Sequence, residues 1–489
     1  QRWAAARGLR EGVSIIAGGP GTGKTHTVAR LLAATALLAE RQGRRHSVAL
    51  AAPTGKAANR MSEAVAGAVG GLESAGVIDA DLAAELVATP AVTLHRLLGA
   101  RGDGTFRHDR RDPLPHDLVI VDETSMVSLP LLADLMVAMR PEARLVLVGD
   151  PFQLTSIEAG TVMSDLVGPG QGSDGRRGTP GTPSLAPQHG RSVLEGRVTV
   201  LERVHRYGAE SGIAELATAV RHGRADEVVR ILDSGRTDLR WVRPEDGPAL
   251  ESTVEEVVVD GLGMVEAARA GDAAAGLRLA ARTKVLCAVR RGPFGRASWS
   301  ELVRERVLGR APSSARRPRG RWYAGRPIMV TANDPVNRLL NGDVGLVVTD
   351  GERLSVAMRE GQGLRMLAPA QLDEFDEWWA MTIHKSQGSE FDHAVIVLPD
   401  ADSPILSREL LYTGVTRARE RLTLVASESA VRASVERPVS RASGLADRLW
   451  GRSFPPGAPE EAGPGEEALQ LSLGLFEVPD TDGGGRQGA

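Results

Sequence analysis

Short runs of branched apolar residues alternate along most of the chain with longer stretches whose apolar positions recur every three to four residues. Residues 13–17, 47–52, 117–121 and 144–149 are near-continuous apolar runs, the pattern of parallel strands covered on both faces. A second set lies at 283–289, 393–398 and 421–425, again with helical segments between. The pattern predicts an α/β chain with two doubly wound units. Between Arg321 and Trp379 it shifts to β-rich segments, RPIMVTAN and NGDVGLVV, joined by an Asn341-Gly342 turn signal, which fits a small inserted β-barrel. Residues 168–192 are dominated by Gly and Pro and read as a flexible surface insertion. Residues 451–489, rich in Gly, Pro and Glu, read as a disordered acidic tail.

The 489 residues are 42% hydrophobic and 25% charged, the balance of a globular protein of about three domains. A net charge of −3 predicts no acidic partner from overall charge, so any basic surface must be local. Lysine occurs only at Lys24, Lys56, Lys284 and Lys385, and the other 55 basic residues are arginine. In a sequence that avoids lysine, the exceptions are informative, because ammonium and guanidinium groups differ at phosphate sites. Three of the four lie in GPGTGKT, APTGKAANR and TIHKSQGSEFD. Cys287 is the single cysteine, and no secretory signal opens the chain, which points to a reducing cytoplasm. The longest strongly apolar helical run, Leu31 to Ala39, falls short of the ~20 residues of a membrane span, so no membrane anchor is expected. The first residue is Gln1 rather than Met, which reads as a fragment or a processed chain.

GGPGTGKT, residues 18–25, follows the strand VSIIA and opens the helix HTVARLLAATALLAE, the context a phosphate-binding loop demands. Its glycines let backbone N–H groups curl around a β-phosphate, Lys24 would reach the β/γ-phosphates, and the Thr25 hydroxyl would ligate Mg²⁺. LVIVDE ends a strand with two carboxylates. Asp122 would hold the Mg²⁺ shell, and Glu123 would orient or deprotonate the attacking water. RLVLVGDPFQL places Asp150 and Gln153 at the carboxyl edge of the same sheet, where ligands of such folds bind, and Gln153 fits a γ-phosphate sensor.

In the second half, LLYTGVTRARERL offers Arg417 and Arg419 as fingers for the γ-phosphate, or else a solvated arginine-rich helix face. From Arg282 to Arg326 there are thirteen Lys/Arg against two acids. Such an excess tracks a phosphate backbone, forms a basic loop or docks a protein, and the sequence leaves these open. With 3% aromatic residues, a long stacking platform is not expected.

Eight motifs in order, GGPGTGKT, APTGKAANRM, TLHRLLG, VDETSM, LVGDPFQLTSIEAG, VHRYGAESGI, MTIHKSQGSEFDHAVIVLP and LYTGVTRARERL, resemble those of superfamily 1 helicases. They are most similar to the RecD family, the alpha chains of exodeoxyribonuclease V (RecBCD), a likeness that CAVRRGPFG and WYAGRPIMV strengthen and that covers nearly all of residues 1 to 450. The resemblance implies two RecA-like P-loop NTPase domains. The first spans 1–200; the second spans 201–319 and 379–450, with an SH3-like β insertion at 320–378. It implies ATP and Mg²⁺ in the cleft and a 5′-to-3′ motor on single-stranded or tailed double-stranded DNA, in the cytoplasm at the nucleoid. By the match, Gln1 reads adenine, and Gly19, Gly21, Thr22, Gly23, Lys24, Thr25, Gly388 and Glu390 bind nucleotide. Arg206 and Arg417 reach the γ-phosphate. Thr54, Lys56, Thr93, His95, Thr382, His384 and Lys385 line the DNA track. RecB and RecC are the implied partners, with a stand-alone RecD-like helicase as the alternative.

Two features depart from the family pattern. The acidic motif reads Asp-Glu-Thr-Ser rather than Asp-Glu-Ala-Ser, and the family's N-terminal partner-docking domain lies outside this sequence. A different class of protein, a subunit that binds ATP as a clamp, is disfavoured by the intact Glu123, Gln153 and Arg417. A nuclease site is not expected, because metal nucleases commonly place an acid two residues before a lysine and the residues there are Thr22, Thr54, Arg282 and Ile383.

Overall fold

The computed structural model describes residues 1–44, 47–155, 161–168, 194, 196–203, 207–208, 211–311, 322–350, 353–360, 363–439 and 444–450. The expected acidic tail, Arg206 and all of the Gly/Pro insertion but Gly168 lie outside the described residues.

Six strands, β1 (Val13–Gly18), β2 (Val48–Ala52), β3 (Val92–Thr93), β4 (Leu118–Val121), β5 (Arg144–Gly149) and β6 (Val198–Leu201), form the first sheet. Their order is β3-β2-β4-β5-β1-β6, and every neighbouring pair is parallel. Alternate residues serve opposite faces. Ile16, Ile120 and Val146 join the core under the helices Lys24–Arg41 and Gly55–Ser74, while Ile15, Val119 and Leu145 join the core on the other side. Both faces are covered, which is why these strands read as unbroken apolar runs. Each large side chain so buried stabilises the fold by roughly 1.5–3 kcal/mol.

The chain then runs through β7 (Leu239–Val242) and β8 (Thr283–Cys287) and leaves to build β9 (Pro327–Val330), β10 (Val344–Asp350), β11 (Arg353–Glu360), β12 (Gly363–Leu367) and β13 (Phe375–Glu377). It returns in β14 (Ala380–Thr382), β15 (Phe391–Val397) and β16 (Ala418–Val425). The second parallel sheet has the order β14-β8-β15-β16-β7, and the inserted sheet is antiparallel in the order β12-β11-β10-β9-β13. One face of the insert makes its own small core from Ile328, Val347, Val356 and Met358. The other face sends Met329, Leu346, Val348 and Ala357 into the core of the second parallel sheet. That two-sided use produces the alternation that marked the segment as β-rich.

The arginine-rich segment after Tyr412 differs from a helix face. The helix Arg408–Val415 ends before it, and Ala418–Val425 is strand β16, exposed only at residues 419–421. Lys284, the lysine outside the motifs, is buried with Nζ donating to the Trp378 carbonyl at 2.7 Å and lying 3.7 Å above the Trp378 ring. No helix among the described residues is long and apolar enough to cross a membrane.

Candidate functional site

β1 ends at Gly18, and the helix Lys24–Arg41 starts from Gly23 in the left-handed region, at φ 85°. The backbone angle there is one that side chains rarely adopt, and a Cβ on Gly23 would also push the Gln1 side-chain amide aside. Lys24 Nζ donates to the carbonyls of Gly18 at 2.7 Å and Gly19 at 3.0 Å. In front of this loop opens a cleft of about 480 Å³. Gly21, Gly23, Lys24 and Thr25 line it from the loop, Asp122, Glu123 and Gln153 from the ends of β4 and β5, and Gly388, Glu390 and Arg417 from the second parallel sheet. Gln1, Gly19 and Thr22 stand behind it: Gln1 Nε2 donates to the Thr22 carbonyl at 3.3 Å, and the Thr22 hydroxyl donates to Gly19 at 2.8 Å.

Asp122 and Glu123 enter the cleft through a strained turn. Glu123 has φ 50°, uncommon for a residue with a Cβ, and its N–H donates to Asp122 Oδ1 at 2.8 Å. Burial and the adjacent Glu123 push the Asp122 carboxyl up to about 6, with Lys24 acting in the opposite sense. A half-buried carboxylate pair beside a hydroxyl is a hard-oxygen donor set with surplus negative charge, and it fits a divalent cation held by Asp122 and Thr25. Gln153 donates from Nε2 to Asp150 Oδ2 at 3.1 Å, while its Oε1 is buried without a hydrogen-bond partner in the protein. That atom fits a site completed by a ligand.

Arg417 is 2% exposed, and its guanidinium is held by the carbonyls of Thr413 and Ser389, at 3.0 and 3.1 Å, and by the Thr416 hydroxyl at 3.2 Å. Arg419, the other expected finger, is on the exposed part of β16 and pairs with Glu390 at 3.3 Å. Glu390 also pairs with Arg60 of the helix Gly55–Ser74, which reaches it from the first sheet. The sequence reading passed over Arg60, although it lies one helical turn beyond Lys56 and thus on the same face. It also passed over Tyr412, whose hydroxyl donates to Asp150 Oδ2 at 3.1 Å from the opposite side of the cleft.

The residues expected on a nucleic-acid track lie at the carboxyl ends of parallel strands in both sheets. Thr54 follows β2 and Thr93 ends β3, and both cap helices, their hydroxyls accepting from Ala57 N and Arg96 N at 3.2 Å each. Thr382 ends β14 and accepts from Lys385 N at 3.3 Å. A hydroxyl that accepts in this way still has its own hydrogen to donate. His95 is exposed, 5.9 Å from the Phe106 ring, and His384 is half-buried. Lys385 Nζ lies 3.7 Å from Asp376. Lys56 opens onto a second cavity of about 270 Å³, reached by Asp343 and Arg359 of the insert. Arg60, Gly388 and Glu390 line both cavities and form the wall between them.

Part of the arginine excess between 282 and 326 is paired within the protein, while Arg316, Arg317, Arg319 and Arg321 lie outside the described residues. Arg306 and Arg310 pair with Glu251 and Glu255 of the helix Gly247–Arg269, Arg282 with Asp260, Arg296 with Asp376 and Arg326 with Glu377. These cations are spent within the protein, which weakens the reading of this stretch as a phosphate track.

Two family models match: the AAA domain over residues 1–159 and the UvrD-like helicase C-terminal domain over residues 377–425. The RecBCD enzyme subunit RecD of Mycobacterium tuberculosis is 43% identical over 92% of this chain and 72% of its own length. The ATP-dependent RecD2 DNA helicase of Deinococcus radiodurans is 31% identical over 89% of this chain and 50% of its own. Among solved structures, Pif1 helicase from Candida albicans aligns over 91% of this chain and 97% of its own at 15% identity and a TM-score of 0.47. With a relative this similar matched over most of both lengths, the chain belongs to the RecD family.

Proposed function

We propose that the chain is an ATP-dependent 5′-to-3′ single-stranded-DNA translocase and helicase, the motor subunit of a RecBCD complex in double-strand-break repair and recombination. The observation that carries this reading is the single cleft in which Lys24, Thr25, Asp122, Glu123 and Gln153 from one parallel sheet meet Gly388, Glu390 and Arg417 from another. Lys24 would bind the β/γ-phosphates, Glu123 would take the proton of the attacking water, and Gln153 and Arg417 would hold the γ-phosphate, with Arg206 as a second arginine. Thr25 and Asp122 would hold Mg²⁺, which when bound neutralises charge growing on the phosphate oxygens. Gln1 would read adenine at the edge of the loop, and Glu390 would line the nucleotide site from the opposite sheet.

On this reading, cleft closure draws the two strand-end tracks past each other. Thr54, Lys56, Thr93 and His95 would grip the DNA backbone from one side and Thr382, His384 and Lys385 from the other. The antiparallel insert would act as the family's SH3-like module, and cleavage of DNA would belong to a partner. The names of the relatives support RecB and RecC as partners, and the Deinococcus relative supports the alternative of a helicase working alone. The test is unwinding of duplexes with a single 5′ or 3′ tail, with and without RecB and RecC. Unwinding from 5′ tails only is expected. Unwinding from 3′ tails overturns the polarity, and full rates without partners favour the stand-alone reading.

A further inference from the structure

We infer that Thr413 is a positioning residue for ATP hydrolysis, its hydroxyl holding the chain segment that carries Gln153 and its carbonyl holding Arg417. This rests on the ATPase reading of the cleft. The Leu154 N–H donates to Thr413 Oγ1 at 2.9 Å, and the Leu154 carbonyl accepts from Gln387 Nε2 at 2.8 Å. Both backbone polar groups of the residue after Gln153 are therefore satisfied by side chains from the other sheet. Thr413 is fully buried and Leu154 6% exposed, so the bond between them is shielded from water.

On its other side, the Thr413 carbonyl accepts from Arg417 Nε at 3.0 Å and from the Thr416 hydroxyl at 3.1 Å. The loop that supplies Gln387 also supplies the Ser389 carbonyl to Arg417 Nη1 at 3.1 Å. Gln153 and Arg417 approach the cleft from different sheets, yet one residue ties the backbone of the first to the guanidinium of the second. Opening the cleft would break the Leu154 bonds and part the Gln153 segment from Arg417, which keeps its own bond to the Thr413 carbonyl, and closing it would bring the two groups back together. Only a hydroxyl-bearing side chain does this, since valine fills the same volume but offers Leu154 no acceptor.

The test uses the full chain with saturating single-stranded DNA. In Thr413→Val, kcat for ATP is expected to fall about tenfold while KM for ATP stays within about twofold, because ground-state contacts to the nucleotide are untouched. Hydrogen exchange at the Leu154 amide is expected to quicken by about tenfold or more, with protection of the β1 and β5 amides retained. Thr413→Ser restores both readouts, and Gln387→Leu, which frees the Leu154 carbonyl, lowers kcat in the same direction. A wild-type kcat in Thr413→Val, an unchanged Leu154 exchange rate, or a Thr413→Ser as impaired as the valine variant overturns the inference. Absence of Lys24-dependent hydrolysis in the unaltered chain overturns the ATPase reading instead, and the exchange measurement separates the two because it reads the Leu154 bond without turnover.

Discussion

Tyr412 and Gln153 share one acceptor: the phenolic hydroxyl and the side-chain amide both donate to Asp150 Oδ2, each at 3.1 Å, from opposite sides of the cleft. Burial raises the Asp150 carboxyl above the usual carboxylate range, opposed by Lys24 and by these donors. Removing the phenol in Tyr412→Phe leaves a buried carboxylate short of a donor, at a cost of about 1–3 kcal/mol. Denaturant unfolding is expected to show that loss, and steady-state assays a lower kcat with KM for ATP little changed. A variant as stable and as fast as wild type would remove Asp150 from the account.

Asp122 gives a pH-dependent signature. Its carboxyl stands at about 6 in the folded chain, against 3.8 ordinarily, so the folded state holds a proton that the unfolded state has released between these values. The stabilisation is complete below pH 4 and lost as pH rises through 6, about 3 kcal/mol for a carboxyl moved that far. Asp122→Asn is expected to be more stable than the nucleotide-free wild type at pH 7 by that order and to lack the decline between pH 4 and 6. Mg²⁺ with a non-hydrolysable ATP analogue should raise the wild-type Tm at pH 7 and leave that of the variant unmoved. Equal Mg²⁺ responses would place the metal elsewhere.

How much was legible in the sequence follows from range. The parallel strands could be read because both faces of each are covered, as Ile15 and Ile16 illustrate, and the phosphate-binding loop because its glycines, Lys24 and Thr25 are contiguous. Tyr412 to Asp150 and Thr413 to Leu154 could not, since they join residues 262 and 259 positions apart that meet only where the two sheets face each other. TRARERL read equally as a helix face because its charges sit at the start of β16, where residues 419–421 lie beyond the pairing with β7. The basic stretch stayed open in the sequence for a related reason: the acids that pair with Arg306 and Arg310 lie 55 residues earlier.

Those pairs make their own prediction. Arg306→Ala and Arg310→Ala remove solvent-screened ion pairs and should leave the denaturation midpoint nearly unchanged. Single-stranded-DNA affinity and its salt dependence should stay at wild-type values in both. A drop in affinity, read by fluorescence anisotropy across a salt series, would return this surface to the DNA track.

Lys56 should behave oppositely. Burial, with Arg60 and Arg417 nearby, brings its ammonium down to about 8, while Asp343 acts to raise it. As pH climbs from 7 to 9 the group loses its charge, and DNA affinity is expected to fall across that window. Lys56→Arg, which keeps its charge there, should flatten the profile, and Lys56→Ala should reduce the salt slope by about one. A wild-type profile flat from pH 7 to 9 would exclude Lys56 from phosphate contact.

The central claim is that the cleft between the two parallel sheets hydrolyses ATP in response to DNA. The most direct measurement is ATP hydrolysis by the purified chain with and without single-stranded DNA, beside Lys24→Ala, in which the ammonium held by the Gly18 and Gly19 carbonyls is gone. Strong stimulation by DNA that disappears in the variant is the predicted result. Hydrolysis in Lys24→Ala at the wild-type DNA-stimulated rate would contradict it.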